Sequence, residues 1–379
     1  MRKTHDHGAD GTTVSRVPVG SYLRRSSAGR CLALLLVITI TTGTASGSQR
    51  PGPQAATEQE PITPVPSPPP ADPLKLVLGE RLFADPRLSG DGSRACTTCH
   101  DIRTNGADGQ QRDKALDGSE LALNTSTVFN AALSFRLNWE GNFRTFEAEA
   151  EAVLDHGQIL GTSVEKALEK LRADPETVHQ FEEAYGPPDR PSLLDAIATY
   201  EQSLLTPGSR FDRWLDGDAA ALSAEELTGY QLFKSLGCIS CHQGVNVGGN
   251  LFERHGIFHP LASPKPEILR VPSLRNVATT PPYFHDGSAP TLQEAVHQMG
   301  FAQLDQTLSD QQVDAIVAFL NTLTGTYRGS PSNPDYVFAA IADGRERGSL
   351  RMPAWGEVLS EAQIWQVTAY VMSISRRTN

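Results

Sequence analysis

Two pentads, Cys96-Thr-Thr-Cys99-His100 and Cys238-Ile-Ser-Cys241-His242, take four of the chain's five cysteines. In each, two closely spaced thiols are followed at once by an imidazole. That arrangement bonds both vinyl groups of a haem from one helical turn and leaves the histidine under the iron as proximal ligand. Two other chemistries use paired thiols. Zinc usually draws together four nitrogen or sulfur ligands, and a redox dithiol needs no histidine directly after it. The pentads predict two covalently bound haem c groups and a redox protein.

The elements that hold them belong to a chain of 379 residues, 39% hydrophobic, a length and composition that suit a soluble globular protein of two or three domains. Residues 1–47 read as an export signal. Arg24, Arg25 and Arg30 precede the apolar run 31–40, and Gly43-Thr-Ala45 offers small residues for cleavage. Cleavage removes Cys31, the fifth cysteine. An uncleaved anchor is the alternative, but the run is shorter than the roughly 20 apolar residues that span a bilayer. The expected location is periplasmic, with no stable membrane insertion after cleavage. Residues 1–45 hold six Lys/Arg against two Asp/Glu, so the rest is more acidic than the overall charge of −11. An acidic body disfavours nucleic acid and anionic lipid and suits a basic electron-donor protein.

Residues 48–72, with Pro64-Val-Pro66 and Pro68-Pro69-Pro70, read as a proline-rich linker. Beyond it the apolar spacing is helical over 74–83, 163–171, 175–185, 193–205, 224–236, 291–299, 310–323 and 361–374, with almost no strand signal. Ser223-Ala-Glu-Glu226 and Ser309-Asp-Gln-Gln312 fit capping boxes. The predicted fold is all-α: two cytochrome c-like haem domains in tandem, 73–206 and 207–325. Residues 326–379 form an appendix that is similar to half of a mono-haem cytochrome c and has no pentad. Met352, in the place of that half-domain's axial ligand, has no haem of its own in the appendix.

From about 73 to 325 the sequence resembles the bacterial di-haem cytochrome c peroxidase and MauG-like family. The likeness rests on Leu76-Val-Leu-Gly-Glu-Arg-Leu-Phe83, Pro86-Arg-Leu-Ser89, Asn124-Thr-Ser-Thr-Val-Phe-Asn130, Trp139-Glu-Gly141, Arg270-Val-Pro-Ser-Leu-Arg-Asn276 and Pro282-Tyr-Phe-His-Asp-Gly287. It implies a peroxidatic N-terminal haem on His100 and a C-terminal electron-entry haem on His242 and Met299. A Met/His pair raises reduction potential, as an electron-accepting centre requires. Tyrosine in the methionine's place would favour MauG chemistry. His285 is implied beside that haem and Trp139 between the two haems. Asn124, with the carbonyls of Thr280 and Pro282, is implied as a Ca²⁺ site. A core methionine, a core tryptophan and ordinary turn chemistry are the structural alternatives. The implied partners are hydrogen peroxide and a small donor protein, a cytochrome c or cupredoxin, and a homodimer is compatible with the family.

The chain departs from the family pattern twice. Leu116 stands where resting peroxidases carry a blocking histidine, and no histidine occurs between His100 and His156. An open N-terminal iron is the simplest consequence, and a ligand from elsewhere, such as His156, is the rival. Ile159 stands where the family has its distal glutamate, and a hydrocarbon cannot move the proton that peroxide cleavage needs. Glu149, at the family's distal glutamine, and His156 are the candidate replacements. Peroxide reduction is the expected function. A MauG-like oxidase acting on a protein Trp or Tyr and a non-enzymatic electron carrier are the alternatives.

Overall fold

The computed structural model describes residues 60–261 and 266–328, then residues 330–331, 345–347, 350–352, 355 and 359. Its helices, in chain order, are α1 (Pro73–Phe83), α2 (Phe146–Asp155), α3 (Val164–Arg172), α4 (Pro175–Ala184), α5 (Arg190–Gln202), α6 (Arg210–Leu215), α7 (Ala224–Ser235), α8 (Leu292–Leu304) and α9 (Asp310–Asn321). The described strands are three short antiparallel ladders: β1 (Phe252–Arg254) with β2 (Ile268–Arg270), β3 (Thr326–Tyr327) with β4 (Ser330–Pro331), and β5 (Arg345–Arg347) with β6 (Leu350–Met352). The fold is mostly helical, as the spacing predicts, with cytochrome c-like domains in tandem, as the resemblance implies.

Local chemistry sets the helix ends. Asp72 accepts the Leu74 N–H and Pro73 opens α1, where a missing N–H costs nothing. Ser223 and Ser309 cap α7 and α9 through the predicted boxes. Two helices escape the apolar-period reading. α2 reads Phe-Glu-Ala-Glu-Ala-Glu-Ala-Val-Leu-Asp, too few large apolar residues for a clear stripe, and α6 is a short helix started by a Ser209–Asp212 capping box. The helix expected over 361–374 lies outside the described residues. Among the described residues, no helix is long and apolar enough to cross a membrane.

The chain makes one helix crossing twice. α1 meets α5 at Gly79, where an added Cβ would lie 2.1 Å from the Ala196 carbonyl oxygen. α7 meets α9 at Gly229, where it would lie 1.8 Å from that of Ala315. Only glycine lets either pair of backbones come so close. Leu78, Leu82, Leu171, Phe181 and Leu193 fill the first core, and Phe211, Tyr230, Phe233, Ile316 and Phe319 the second.

Between the crossings, residues 128–153 and 274–299 repeat one another without a gap. Asn130 and Asn276 both take φ 60° ahead of a short 3₁₀ turn. The Asn130 N–H donates to Leu204 O (2.8 Å) and the Asn276 N–H to Leu323 O (3.2 Å). Their Oδ1 atoms accept from the N–H of Thr206 and of Gly325, 2.9 Å each. Both Nδ2 groups donate to one hydroxyl, Thr206 Oγ1, at 2.7 and 2.9 Å, which joins the repeats. Paired bridges, Leu137 with Phe143 and Tyr283 with Ala289, then close matching loops, and Thr145 and Thr291 cap α2 and α8.

The proline-rich stretch read as a linker is packed over its described part. Ile62 and Val65 are 1% and 5% exposed, and Ile62 joins the second core. Pro61 O accepts the Gly244 N–H. A buried ion pair completes the attachment. Arg275 Nη1 lies 2.8 Å from Asp212 Oδ1, while its other nitrogens donate to Val245 O and Thr63 O at 2.9 and 2.8 Å. Asp212 also accepts the Val65 N–H at 3.3 Å. Removing one partner of such a pair strands the other's charge. Arg275→Ala should cost roughly 3–5 kcal/mol of stability, measured by denaturant unfolding of the haem-loaded protein; a loss under about 1 kcal/mol, the range of an exposed pair, would contradict this role.

Candidate functional site: the haem cavity

Each pentad is a single helical turn. Cys96–Thr98 and Cys238–Ser240 are 3₁₀, and the His100 and His242 N–H groups donate back to Cys96 O (2.9 Å) and Cys238 O (3.1 Å). The turn sets the two thiols and the imidazole side by side. The four cysteines are free. Burial pushes the Cys96 and Cys99 thiols up to about 12 and Cys238 to about 11. A redox dithiol needs the opposite shift. Among the described residues no group of three or more His, Cys, Asp or Glu could hold a metal ion by itself, which removes the zinc reading.

Both pentads open on one cavity of about 720 Å³ with a mainly apolar lining. The imidazoles are set for iron. His100 Nδ1–H donates to Gly106 O at 3.2 Å and His242 Nδ1–H to Val247 O at 3.3 Å. A carbonyl partner fixes the Nδ1–H tautomer and leaves Nε2 as the ligating atom. Burial lowers both rings' proton affinity, His242 to about 4, so they are neutral ligands. The chain's donors therefore fit two haem c groups, held by Cys96, Cys99 and His100 and by Cys238, Cys241 and His242.

Met299 lines the cavity from α8. Its counterpart in the internal repeat is Val153, which lines the cavity from α2. A thioether faces one pocket and a hydrocarbon the other. Trp139 and His285 are also counterparts. Their rings meet edge-to-face with centroids 4.5 Å apart. Trp139 Nε1–H donates to Asn124 O at 2.8 Å, and His285 Nε2–H donates to Arg270 O at 2.9 Å. The Arg270 guanidinium sits 5.3 Å from the centre of the Trp139 ring.

The predicted distal residues separate. Glu149 lines the cavity, and burial pushes its carboxyl up to about 7, although Arg270 and the Asn138 amide pull the other way. Ile159 lines the cavity too. His156 caps the end of α2, is exposed, does not line the cavity, and accepts the Gln158 N–H on Nδ1 at 3.3 Å. The structure does not bring His156 to the site. Leu116 packs at Gly161 away from the cavity lining. Asn124, Thr280 and Pro282 each line the cavity, with Asn124 Nδ2 donating to Gln110 O (2.8 Å) and Gln111 O (3.3 Å). The Met352 side chain and most of the appendix lie outside the described residues.

Sequence reasoning missed three cavity residues. Val153 was findable from Asn130, Gly141 and Thr145 recurring in step as Asn276, Gly287 and Thr291. Glu201 stands on the apolar face of α5, one turn after Ile197. His255, whose ring lies 4.5 Å from His285, carries no sequence signal of its own.

Two haem-binding pentads in duplicated helical frames, one pocket with a methionine and one without, define a di-haem c-type cytochrome. The di-haem cytochrome c peroxidase family profile matches residues 73–220, that of cytochrome c residues 227–324, and that of cbb3-type cytochrome c oxidase subunit III residues 322–371. The chain is 36% identical over 284 residues to cytochrome c551 peroxidase of Nitrosomonas europaea, covering 70% of this chain and 84% of that protein. It is 38% identical over 287 residues to cytochrome c peroxidase Ccp of Escherichia coli, covering 71% of this chain and 62% of that protein. A solved MauG-like protein associated with microbial copper homeostasis shares the fold, with a TM-score of 0.60, 24% identity, and coverage of 74% of this chain and 95% of its own. The chain belongs to the di-haem cytochrome c peroxidase and MauG family and is a peroxidase-like oxidoreductase.

If Met299 ligates the second iron, Met299→His should lower that haem's reduction potential. Spectroelectrochemical titration reads it, and an unchanged potential would exclude Met299 as ligand.

Proposed function

We propose that this chain reduces hydrogen peroxide at the N-terminal haem with electrons that enter at the His242/Met299 haem. The observation that carries this reading is the contrast between repeated positions. Where the second pocket has Met299 and Ala295, the first has Val153 and Glu149. One site is furnished to close its iron and the other to admit a ligand beside an acid.

When bound, the haems supply the electron transfer and the Lewis-acidic iron that peroxide reduction uses. This chain's residues do the rest. His100 and His242, each fixed by a backbone carbonyl, would hold the irons. Glu149 keeps a proton near neutral pH because burial opposes its charge, and gives it to the departing oxygen of peroxide. Val153, Ile159 and Leu160 keep the wall apolar, so bulk water does not compete for that proton. Trp139 and His285 bring aromatic rings into contact between the pockets, a path along which electrons pass. Asn124 Oδ1 and the carbonyls of Thr280 and Pro282 are hard oxygen donors compatible with Ca²⁺. Export to the periplasm, with residues 1–47 as signal, fits a c-type cytochrome whose donor is a small cytochrome c or cupredoxin. Residues 73–206 and 207–325 are proposed as the haem domains and 326–379 as the appendix.

A MauG-like oxidase remains the second reading, on one observation: the open pocket and the ring contact would also serve hole transfer to a partner protein. Met299 at the second haem favours the peroxidase. Peroxide titration separates them, since oxidation of a reduced cytochrome marks a peroxidase and modification of a partner's Trp or Tyr marks an oxidase.

Val153→Met copies the second pocket into the first. It should convert the N-terminal iron to a six-coordinate, low-spin form and abolish peroxide turnover; a variant that stays high-spin would refute the positional equivalence. Glu149→Gln should lower kcat/KM for peroxide by about 10²–10⁴-fold. With the acid's pKa raised to about 7, the protonated form is populated below that value and lost above it. Parental activity should therefore fall as pH rises through neutrality, and a flat profile would exclude Glu149 as the acid.

A further inference from the structure

α5 and α9 are counterparts, and their inner faces can be compared residue by residue. Ile197 and Ile316 line the cavity from equivalent turns. One turn later α9 presents Leu320 and α5 presents Glu201, both lining the cavity. The crossing is the same in both units, so packing alone asks for a hydrocarbon there. The Glu201 carboxyl has no hydrogen-bond or ion-pair partner among the described residues, while its backbone carbonyl accepts the Leu204 N–H. It is the second place, after Glu149 against Ala295, where the first pocket has a carboxyl and the second a hydrocarbon.

We infer that Glu201 is the proton reserve of the peroxide pocket, a carboxyl on α5 that reprotonates Glu149 on α2. The inference deepens the peroxidase reading and rests on it. Reduction of one hydrogen peroxide breaks its O–O bond, takes two electrons from the reduced donor protein and two protons, and releases two waters. Glu149 carries one proton at a time. Ile159 leaves no carboxyl at the family's own distal position, and Glu201 supplies the second proton before solvent restores both.

The surroundings suit that task. α2, which carries Glu149 and Glu147, packs on α5, and burial together with the charges of those two carboxylates pushes Glu201 well above the usual carboxylate range. Cys96, which becomes a thioether on haem attachment, adds no charge. On α1, Lys75 is taken by Asp195 and Glu80 by Arg328. α3 offers Glu165, which is paired with Arg190. Of the arginines on the cavity wall, Arg94 donates to the carbonyls of Lys114 and Ala115, Arg270 acts on the Glu149 charge, and Arg136 and Arg254 are the remaining cations. Among the described residues no cation pairs with Glu201 itself.

The test uses the haem-loaded full chain and Glu201→Gln, Glu201→Asp and Glu201→Leu, the last matched to Leu320 so that packing survives. Two readouts need no turnover. Hydrogen cyanide loses its proton when it binds ferric haem as the anion, so its affinity across the neutral pH range reports pocket carboxyls. An infrared C=O band reports a protonated buried carboxyl directly. The parent should show two proton-linked steps in cyanide affinity and the infrared band at neutral pH. Glu201→Gln should keep one step and lose the Glu201 component of the band, leaving that of Glu149, and Glu201→Asp should restore the parental profile and band. Peroxide kcat in the Gln and Leu variants should fall at least about 10-fold with KM unchanged, most steeply above neutrality. A Gln variant with the parental cyanide profile and band would overturn the inference. A parent with the two-step profile and no peroxide turnover would sink the peroxidase reading and leave Glu201 as the proton-holding group.

Discussion

The ion pair between Arg275 and Asp212 is the constraint on which the second haem unit hangs. Both side chains are almost wholly buried, 1% and 2% exposed, and a buried pair is tolerable only when its remaining donors and acceptors are satisfied. Here they are, and by elements far apart in sequence. Thr63 and Val65 bring in the proline-rich stretch, Ser209 brings the start of α6, and Val245 brings the loop that follows the second pentad. Val247, two residues along that loop, accepts the Nδ1 proton of His242. The loop that holds the His242 ring is thus tied to a charge pair that lies outside the cavity lining.

Around that anchor the chain uses one frame twice and then makes the copies unequal. The Gly79 and Gly229 crossings, the left-handed Asn130 and Asn276, and the threonine caps of α2 and α8 are shared because backbone geometry demands them. The divergent positions line the cavity: Val153 against Met299, Glu149 against Ala295, Glu201 against Leu320. All six positions line the cavity, so these exchanges change its wall and leave the shared backbone frame in place. On the proposed reading, duplication separates two demands that one pocket cannot meet together, a closed iron that only exchanges electrons and an open one beside a proton source.

How far this was legible in the sequence depended on the range of the interaction involved. Pentads, capping boxes and apolar stripes are local patterns, so haem attachment and most helices could be read directly. α2 escaped because its stripe is built of alanine and valine, and its position is fixed by packing on α5. His156 was plausible as an acid only while the end of α2 was unknown; the helix stops there and leaves the ring in solvent. Glu201 was the opposite case. A glutamate at the end of a helix reads as a solvated residue, and only the cavity beyond α5 gives it a different meaning. The proline-rich stretch looked like a spacer because composition reports stiffness but not where Ile62 and Val65 find a core.

Arg270 ties the electron path to the acid. Its N–H donates to Trp139 O and its Nε to Asn138 O, 2.8 and 2.9 Å, while its own carbonyl orients His285. One residue therefore fixes both bridging rings. Its guanidinium, though burial lowers it to about 10, stays charged at neutral pH and faces the Trp139 ring on one side and Glu149 on the other. A cation over an indole is attracted by its electrons and resists their removal. An ionised Glu149 would offset that charge, and a protonated Glu149 leaves it uncompensated. In the proposed mechanism the energy of removing an electron from Trp139 therefore follows the proton on Glu149, so that the residue proposed as the acid also sets how readily the proposed bridge conducts.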